Sequence, residues 1–283
     1  MSEAGASTAT GPRRTGRNGL ALLRAAHIGP ALAVTAITAL LAVGQQLSAG
    51  NALIVTGAVL TGQLTIGWGN DLLDAARDRA VGRTDKPLAT GELSRRLVVA
   101  AIATAAVACV ALSFAAGWRA ALVNLVLHVG GGHAYNLLLK HTAWSWLPYA
   151  AAFGTLPAVV TLAADPPRWP PGWMLAAAAA LGVAAHFLNV LPDLEDDAAT
   201  GIRGLPHRLG PPASRAAATA LLVLASAAAV LGPPGRPAGW AWAALGLTLL
   251  LALAALVARG KTPFRAAIAI ALVDVLLLTL AGT

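Results

Sequence analysis

The run LVVAAIATAAVACVALSFAAG, Leu97 to Gly117, holds 21 residues and no charge. As a helix it would rise about 30 Å, the thickness of the hydrocarbon core of a bilayer. Polar residues do not alternate through it, so it does not have the pattern of a barrel strand. Eight more stretches read the same way: Leu20 to Gly44, Asn51 to Gly69, Ala120 to Leu139, Trp146 to Ala164, Trp173 to Pro192, Ala213 to Leu231, Trp240 to Ala258 and Phe264 to Leu280. Breaks rich in Pro and Gly, such as Gly232-Pro233-Pro234-Gly235, separate several of them. The expected fold is an all-α membrane protein of about nine transmembrane helices over residues 20–283, bundled around a central cavity. Residues 1–19 are polar, small and mildly basic and read as a disordered N-terminal tail rather than a signal peptide.

Composition agrees. Apolar residues make up 57% of the 283-residue chain and charged residues 11%, with mean hydropathy +0.69. So little charge cannot cover a water-soluble globule of this size. The net charge of +8 would suggest nucleic acid in a soluble protein. Here 17 of the 20 Lys and Arg residues fall in alternate loops, on the side of the N-terminus. Excess positive charge in cytoplasmic loops accounts for that asymmetry without nucleic acid, and puts the N-terminus in the cytoplasm. The chain therefore reads as a multi-pass protein of the plasma membrane. Arg outnumbers Lys 17 to 3 in an Ala-rich chain, a composition expected of a bacterial source. The lone Cys109 excludes a disulfide framework and a Cys-based zinc site.

The acids carry the chemistry. Nine of twelve lie in two clusters, each just after an apolar stretch on the expected cytoplasmic side. The first is Asn70-Asp71-Leu72-Leu73-Asp74-Ala75-Ala76-Arg77-Asp78, followed by Asp85 and Glu92. At 100° per residue, Asp71, Asp74 and Asp78 fall within about 60° of one another on a helix. Like charges stacked this way repel, and a divalent cation explains them most simply. Oxygen donors without neighbouring Cys or His favour Mg²⁺, Ca²⁺ or Mn²⁺ over zinc. The second cluster is Pro192-Asp193-Leu194-Glu195-Asp196-Asp197, in which Asp193, Asp196 and Asp197 share about 100° of a helix. His186 and Asn189 continue that stripe backwards. Two such faces can hold metals that bridge an anion, and Arg77, Arg79, Arg83, Lys86, Arg203 and Arg208 beside them are suited to clamp a diphosphate. In the fourth stretch Asn124, His128, Gly131 and Tyr135 share one helical face, a candidate acceptor wall or a set of interhelical hydrogen bonds. Asp274, isolated in the last stretch, is either a cavity residue or a hydrogen-bond partner for a neighbouring helix.

At these residues the chain resembles the UbiA superfamily of intramembrane prenyltransferases. Asn70-Asp71-x-x-Asp74-x-x-x-Asp78 matches its first aspartate motif. Arg83-Thr84-Asp85-Lys86-Pro87-Leu88 is similar to the segment that follows, with Lys86 where Arg is usual. Asp193-x-x-x-Asp197, then Gly201 and Arg208-Leu209-Gly210, resembles the second motif. Tyr135-x-x-x-x-Lys140 is one residue longer than the family's Tyr-x-x-x-Lys. The resemblance implies Mg²⁺ ions held by Asn70, Asp71, Asp74, Asp78, Asp193, Asp196 and Asp197. It implies an isoprenyl diphosphate bound through Arg77, Arg83, Lys86, Lys140, Arg203 and Arg208. A lipophilic or aromatic acceptor would be bound near Asn124, His128, Tyr135, His186 and Asn189. The catalytic set it implies is Asp71, Asp74, Asp78, Asp193 and Asp197. A membrane terpene cyclase would use the same motifs with the substrate's own double bonds as acceptor. A transporter is a third reading, but transporter sites tend to lie at the membrane midplane rather than at one side.

Overall fold

The computed structural model describes residues 12–199 and 201–281, and every regular element among them is helical. Helix α1 (Pro12–Ala25) takes up residues 12–19 of the expected tail, and residues 1–11 lie outside the described residues. Helix α2 (Ile28–Gly44) leaves α1 at a 69° bend, so the stretch expected to run straight from Leu20 to Gly44 is broken. His27 makes the break: it takes the left-handed conformation, φ 52° and ψ 51°, between the two helices. Helix α3 (Ala49–Ala80) starts where Ser48 Oγ accepts from the Asn51 amide at 3.3 Å. Its 32 residues extend about 48 Å, so the first acid cluster rides on a helix that outruns a hydrocarbon core. Helix α4 (Arg95–Ala115) is capped likewise, Ser94 Oγ accepting from Leu97 N at 3.2 Å.

The fourth stretch is not a plain α-helix. Between α5 (Trp118–Leu122) and α6 (Gly130–Leu137) lies a π-helical segment, Val123–Val129. The fifth stretch is two short helices, α7 (Leu147–Gly154) and α8 (Leu156–Thr161), joined at Thr155 just before Pro157, which has no amide proton to continue the ladder. Helix α9 (Gly172–Val190) tightens at Pro192 into a 3₁₀ turn, Leu191–Asp193, and resumes as α10 (Leu194–Ala199). Helix α11 (Leu205–Leu231) starts well before the expected Ala213 and is kinked at Gly210 (φ 76°), ahead of Pro211 and Pro212. Helices α12 (Gly239–Val257) and α13 (Thr262–Ala281) complete the chain. Among the described residues, five helices are long and apolar enough to cross a membrane, or six if the bent α1–α2 pair is one span.

Neighbours in sequence are mostly neighbours in space: α2 packs on α3, α3 on α4, α7 on α9, α9 on α11, α11 on α12 and α12 on α13. Helix α13 returns to α2 and α9, which closes the bundle. Two close approaches require glycine. A Cβ on Gly67 of α3 would lie 2.2 Å from the Ala26 carbonyl oxygen at the α1–α2 bend. A Cβ on Gly182 of α9 would lie 2.6 Å from the Tyr149 carbonyl oxygen of α7. A cavity of about 90 Å³ remains between α2, α7, α8, α9, α11 and α13.

Candidate active site

The three acids of α3 share one buried face, as their spacing predicts. Asp71 is 1% exposed, Asp74 7% and Asp78 3%. Each has a cation beside it, Asp71 and Asp74 from outside α3 and Asp78 from α3 itself. Lys86 Nζ lies 3.0 Å from Asp71 Oδ1. Lys140 Nζ donates to Asp74 Oδ1 at 2.5 Å. Arg77 donates to Asp74 Oδ2 at 3.0 Å and lies 3.7 Å from Asp78 Oδ1. Asn70 donates to Asp74 Oδ2 at 3.1 Å and to Asn136 Oδ1 at 3.2 Å. Lys140 reaches in because the chain tightens into a 3₁₀ turn, Leu139–His141, directly after α6, which absorbs the extra residue between Tyr135 and Lys140.

The pairing is incomplete. Both carboxylate oxygens of Asp71 and Oδ2 of Asp78 are buried without a hydrogen-bond partner, the Lys86–Asp71 contact being an ion pair outside hydrogen-bond geometry. Burying carboxylates costs several kcal/mol each and is seldom repaid by ion pairing alone, so these acids do not serve stability. Hard, under-satisfied oxygens fit Mg²⁺. Among the described residues, however, no three His, Cys, Asp or Glu side chains stand close enough to enclose an ion. The expected composite of six acids is therefore not a ready-made cage. An ion at this face would take one or two carboxylates and would need water or phosphate oxygens for the rest, which is how Mg²⁺ usually binds.

The second cluster arrives at the same end of the bundle. Arg83, in the loop after α3, grips Asp85 through two hydrogen bonds of 2.8 and 2.9 Å. Its Nη1 lies 3.6 Å from Asp193 Oδ1, on the 3₁₀ turn after α9. The Asp85 hydrogen bonds push the guanidinium pKa up, and Arg83 holds the Asp85 carboxyl down at about 2. The 3₁₀ turn ends the stripe expected to run from His186 through Asp197: Asp193 belongs to the turn, while Asp196 and Asp197 lie on α10. Asp196 is exposed; Asp197 Oδ2 lies 3.3 Å from His207 Nε2 of α11. Arg203 and Arg208 are exposed, with Arg208 Nε donating to the Arg203 carbonyl at 3.1 Å.

Beside the acids is an aromatic cluster. Tyr135 meets Tyr149 edge-on at 5.1 Å between ring centroids and His186 at 5.5 Å. Tyr149 lies against His186 at 4.6 Å and stacks on Phe153 at 6.2 Å. Asn189, near the end of α9, is exposed. His186 Nε2 lies 3.0 Å from Ser145 Oγ, which also accepts from the Leu205 amide at 2.8 Å.

Asn124 and His128 do not join this cluster. Asn124 donates to Ser113 Oγ of α4 at 2.9 Å. His128 is fully buried, with Nδ1 3.0 Å from the Ala152 carbonyl and Nε2 2.9 Å from Gln63. A carbonyl can only accept, so Nδ1 carries the proton and Nε2 accepts from the Gln63 amide. Across the π-helical segment Asn124 turns to α4, while His128, Gly131 and Tyr135 keep one side toward α7: His128 meets the Ala152 carbonyl, a Cβ on Gly131 would lie 3.4 Å from the Pro148 carbonyl oxygen, and Tyr135 meets Tyr149.

Sequence reasoning missed Tyr149, Ser145, His207, Gln63 and His27. His27 Nε2 accepts from Lys86 Nζ at 2.9 Å and so backs the lysine that faces Asp71. None of these five belongs to a spacing pattern; they are polar or aromatic groups that only the packing of distant helices brings together.

The model of the UbiA prenyltransferase family matches residues 31–279. Protoheme IX farnesyltransferase of Haloarcula marismortui is 33% identical over 175 residues, which is 56% of this chain and 36% of that protein; the match spans about a third of the relative's length. Among solved structures, a UbiA homolog from Aeropyrum pernix K1 superposes with a TM-score of 0.73 at 19% identity, covering 87% of this chain and 96% of that one. A UbiA homolog from Archaeoglobus fulgidus bound to GPP and Mg²⁺ gives 0.67 at 16% identity, with coverage of 93% and 99%. At such identities the structural likeness is one of fold. Fold, the two meeting acid clusters and a family match over most of the residues agree: the chain belongs to the UbiA prenyltransferase family.

Proposed function

We propose that the chain is an integral membrane prenyltransferase that moves an isoprenyl group from an isoprenyl diphosphate to a lipophilic, aromatic acceptor. The observation that carries this reading is the meeting of two acid clusters, more than a hundred residues apart, at Arg83 and Asp193. The names of relatives support it: one is a farnesyltransferase and another is bound to GPP and Mg²⁺. The membrane reading takes nine spans, counting α1–α2, α5–α6 and α7–α8 as one broken span each. It puts the N-terminus and the site on the cytoplasmic side of a bacterial plasma membrane, on the strength of the basic loops.

Asp71, Asp74 and Asp78, with Asn70, and Asp193 and Asp197, with Asp196 at the rim, would hold Mg²⁺ between the diphosphate and the chain. Bound there, the metal supplies Lewis-acid neutralisation of the leaving diphosphate. Arg77, Arg83, Lys86 and Lys140 stand where they can turn from carboxylate to phosphate oxygens, and Arg203 and Arg208 can reach over the opening. Together they stabilise charge as the allylic C–O bond breaks and its electron pair leaves with the diphosphate. Tyr135, Tyr149 and His186 pack together beside the acids, and an aromatic π-face there would stabilise a cation. An electron-rich acceptor carbon then forms the new bond and loses its proton.

The test is a mass-spectrometric screen of the purified chain with Mg²⁺, prenyl diphosphates of several lengths and candidate aromatic acceptors, with and without EDTA. A prenylated acceptor formed only with metal is expected. A cyclised or hydrolysed product without acceptor would replace the transferase reading by the cyclase one. No metal-dependent turnover of any diphosphate would revive the transporter.

A further inference from the structure

Helix α11 turns at Gly210 and restarts with Pro211 and Pro212. Beside that turn, against the end of α12, is an open groove of about 460 Å³. Pro211, Pro212 and Arg215 of α11 line it, with Leu256 of α12 and Arg259 just beyond. Its volume falls in the range of small-ligand sites, about 300–1,000 Å³. Among the described residues, neither Arg215 nor Arg259 has an ion-pair partner. Around the acid clusters the opposite holds: Arg24, Arg77, Arg83 and Lys86 each face a carboxylate. The difference begins in the sequence. From Gly201 to Thr283 there are seven Lys and Arg residues and one acid, Asp274. That acid is buried in α13, where Ser226 Oγ of α11 donates to it at 2.9 Å. No carboxylate lines the groove.

The surface next to the groove is apolar. Leu249, Leu253 and Leu256 fall within about 60° of one another on α12, and all three are exposed. The stripe runs from the groove along α12 for two turns, about 10 Å, toward the middle of the helix.

We propose that the groove binds one anionic phospholipid, with its phosphodiester between Arg215 and Arg259 and an acyl chain along Leu256, Leu253 and Leu249. Guanidinium forks match phosphate oxygens. A basic pocket between membrane helices, on the side of the basic loops, attracts anionic headgroups. A soluble phosphate would gain nothing from the leucines. A zwitterionic headgroup would bring its own cation beside two guanidiniums. An anionic lipid answers both the charge and the stripe. None of the residues assigned to metal or diphosphate lines the groove, so the site rests on the membrane reading above and not on the reaction.

The experiment is native mass spectrometry of the purified full chain in neutral detergent. The probe is an equimolar mixture of phosphatidylglycerol and phosphatidylcholine with distinguishable acyl chains of similar length. In the first lipid adduct, phosphatidylglycerol should be preferred about tenfold or more, the scale of two arginines acting on one anionic headgroup. Arg215→Gln and Arg259→Gln should each weaken the preference, and the two together should bring it within about twofold. Arg236→Gln, in the turn at the other ends of α11 and α12, should leave it unchanged. Glycerol phosphate in large excess should not displace the lipid; if it does, the site is one for soluble phosphates and the lipid proposal falls. Equal binding of the two lipids by the wild type overturns the proposal without recourse to any variant. So does a preference that survives the double substitution. A preference that falls as far in Arg236→Gln would make it an effect of bulk charge and overturn the site as well.

Discussion

Arg83 Nη1 and Asp193 Oδ1 stand 3.6 Å apart although 110 residues separate them in sequence. The same guanidinium is fixed to Asp85 by its other two donors. The loop after α3 is thereby tied to the end of α9. Arg83→Ala should release it, lowering kcat/KM for the prenyl diphosphate by about tenfold or more through KM. Arg83→Lys should not rescue, because an ammonium cannot reproduce the fork. Steady-state kinetics on both variants decide; full activity in Arg83→Lys would show that charge alone matters.

Asp71 has two buried oxygens and no hydrogen bond to lose. Asp71→Ala should abolish turnover, a fall of about a hundredfold or more, while the protein still folds in detergent. Asp193→Ala should do the same. Retained activity in either variant would refute its role in holding metal. Turnover with EDTA and thermal melts of the same preparations separate loss of chemistry from loss of fold.

Lys140 and Asp74 are a buried pair, 5% and 7% exposed. Removing one partner of such a pair costs about 3 kcal/mol. Lys140→Met should therefore lower the melting temperature, and Mg²⁺ should restore more of it than it adds to the wild type, because the metal compensates the bared carboxylate. Melting curves with and without Mg²⁺ measure both effects. An unchanged melting temperature would mean that Arg77 and Asn70 suffice for Asp74.

Gly67→Ala drives a methyl to 2.2 Å from the Ala26 carbonyl oxygen, and backbone at a bend has little room to move. A loss of about 1–3 kcal/mol is expected. Gly246→Ala on α12, with nothing within 4 Å, is the control and should be neutral or stabilising.

Asp85 is depressed to about 2 by Arg83, so the pair is whole above the ordinary carboxylate range and is lost only as pH falls through the folded value. Activity lost on acidification from pH 7 to 4 then has another cause. Asp85→Asn should leave the shape of that acid limb unchanged; a limb displaced by the substitution would implicate this carboxyl.

The α3 motif was legible because a continuous α-helix obeys its period: Asp71, Asp74 and Asp78 fall on one buried face as computed from 100° steps. The same arithmetic holds for His128, Gly131 and Tyr135, which all face α7, but not for Asn124, which turns to Ser113 of α4 across a π-helical insertion that hydropathy does not reveal. Apolar length found the fifth stretch but not its break, although Pro157 was in plain view. Lys140 was flagged by a motif that did not fit by one residue, and a 3₁₀ turn supplied the fit. Tyr149 and Ser145 carried no signal, since their meaning comes wholly from His186, which another helix presents.

The cations already seated on the α3 acids have a thermodynamic consequence. Without ligand, the chain is its own counter-ion. If this face holds metal and diphosphate as proposed, a magnesium ion arriving alone would have to displace Lys86, Lys140 or Arg77 and leave that cation stranded, and a diphosphate arriving alone would have to strip the acids of their partners. Arriving together, each takes the partner the other has freed, and the exchange nearly conserves charge. Metal and substrate should then bind as a unit, each feebly by itself, and the unit's affinity should depend on ionic strength far less than the chain's basic surface would suggest.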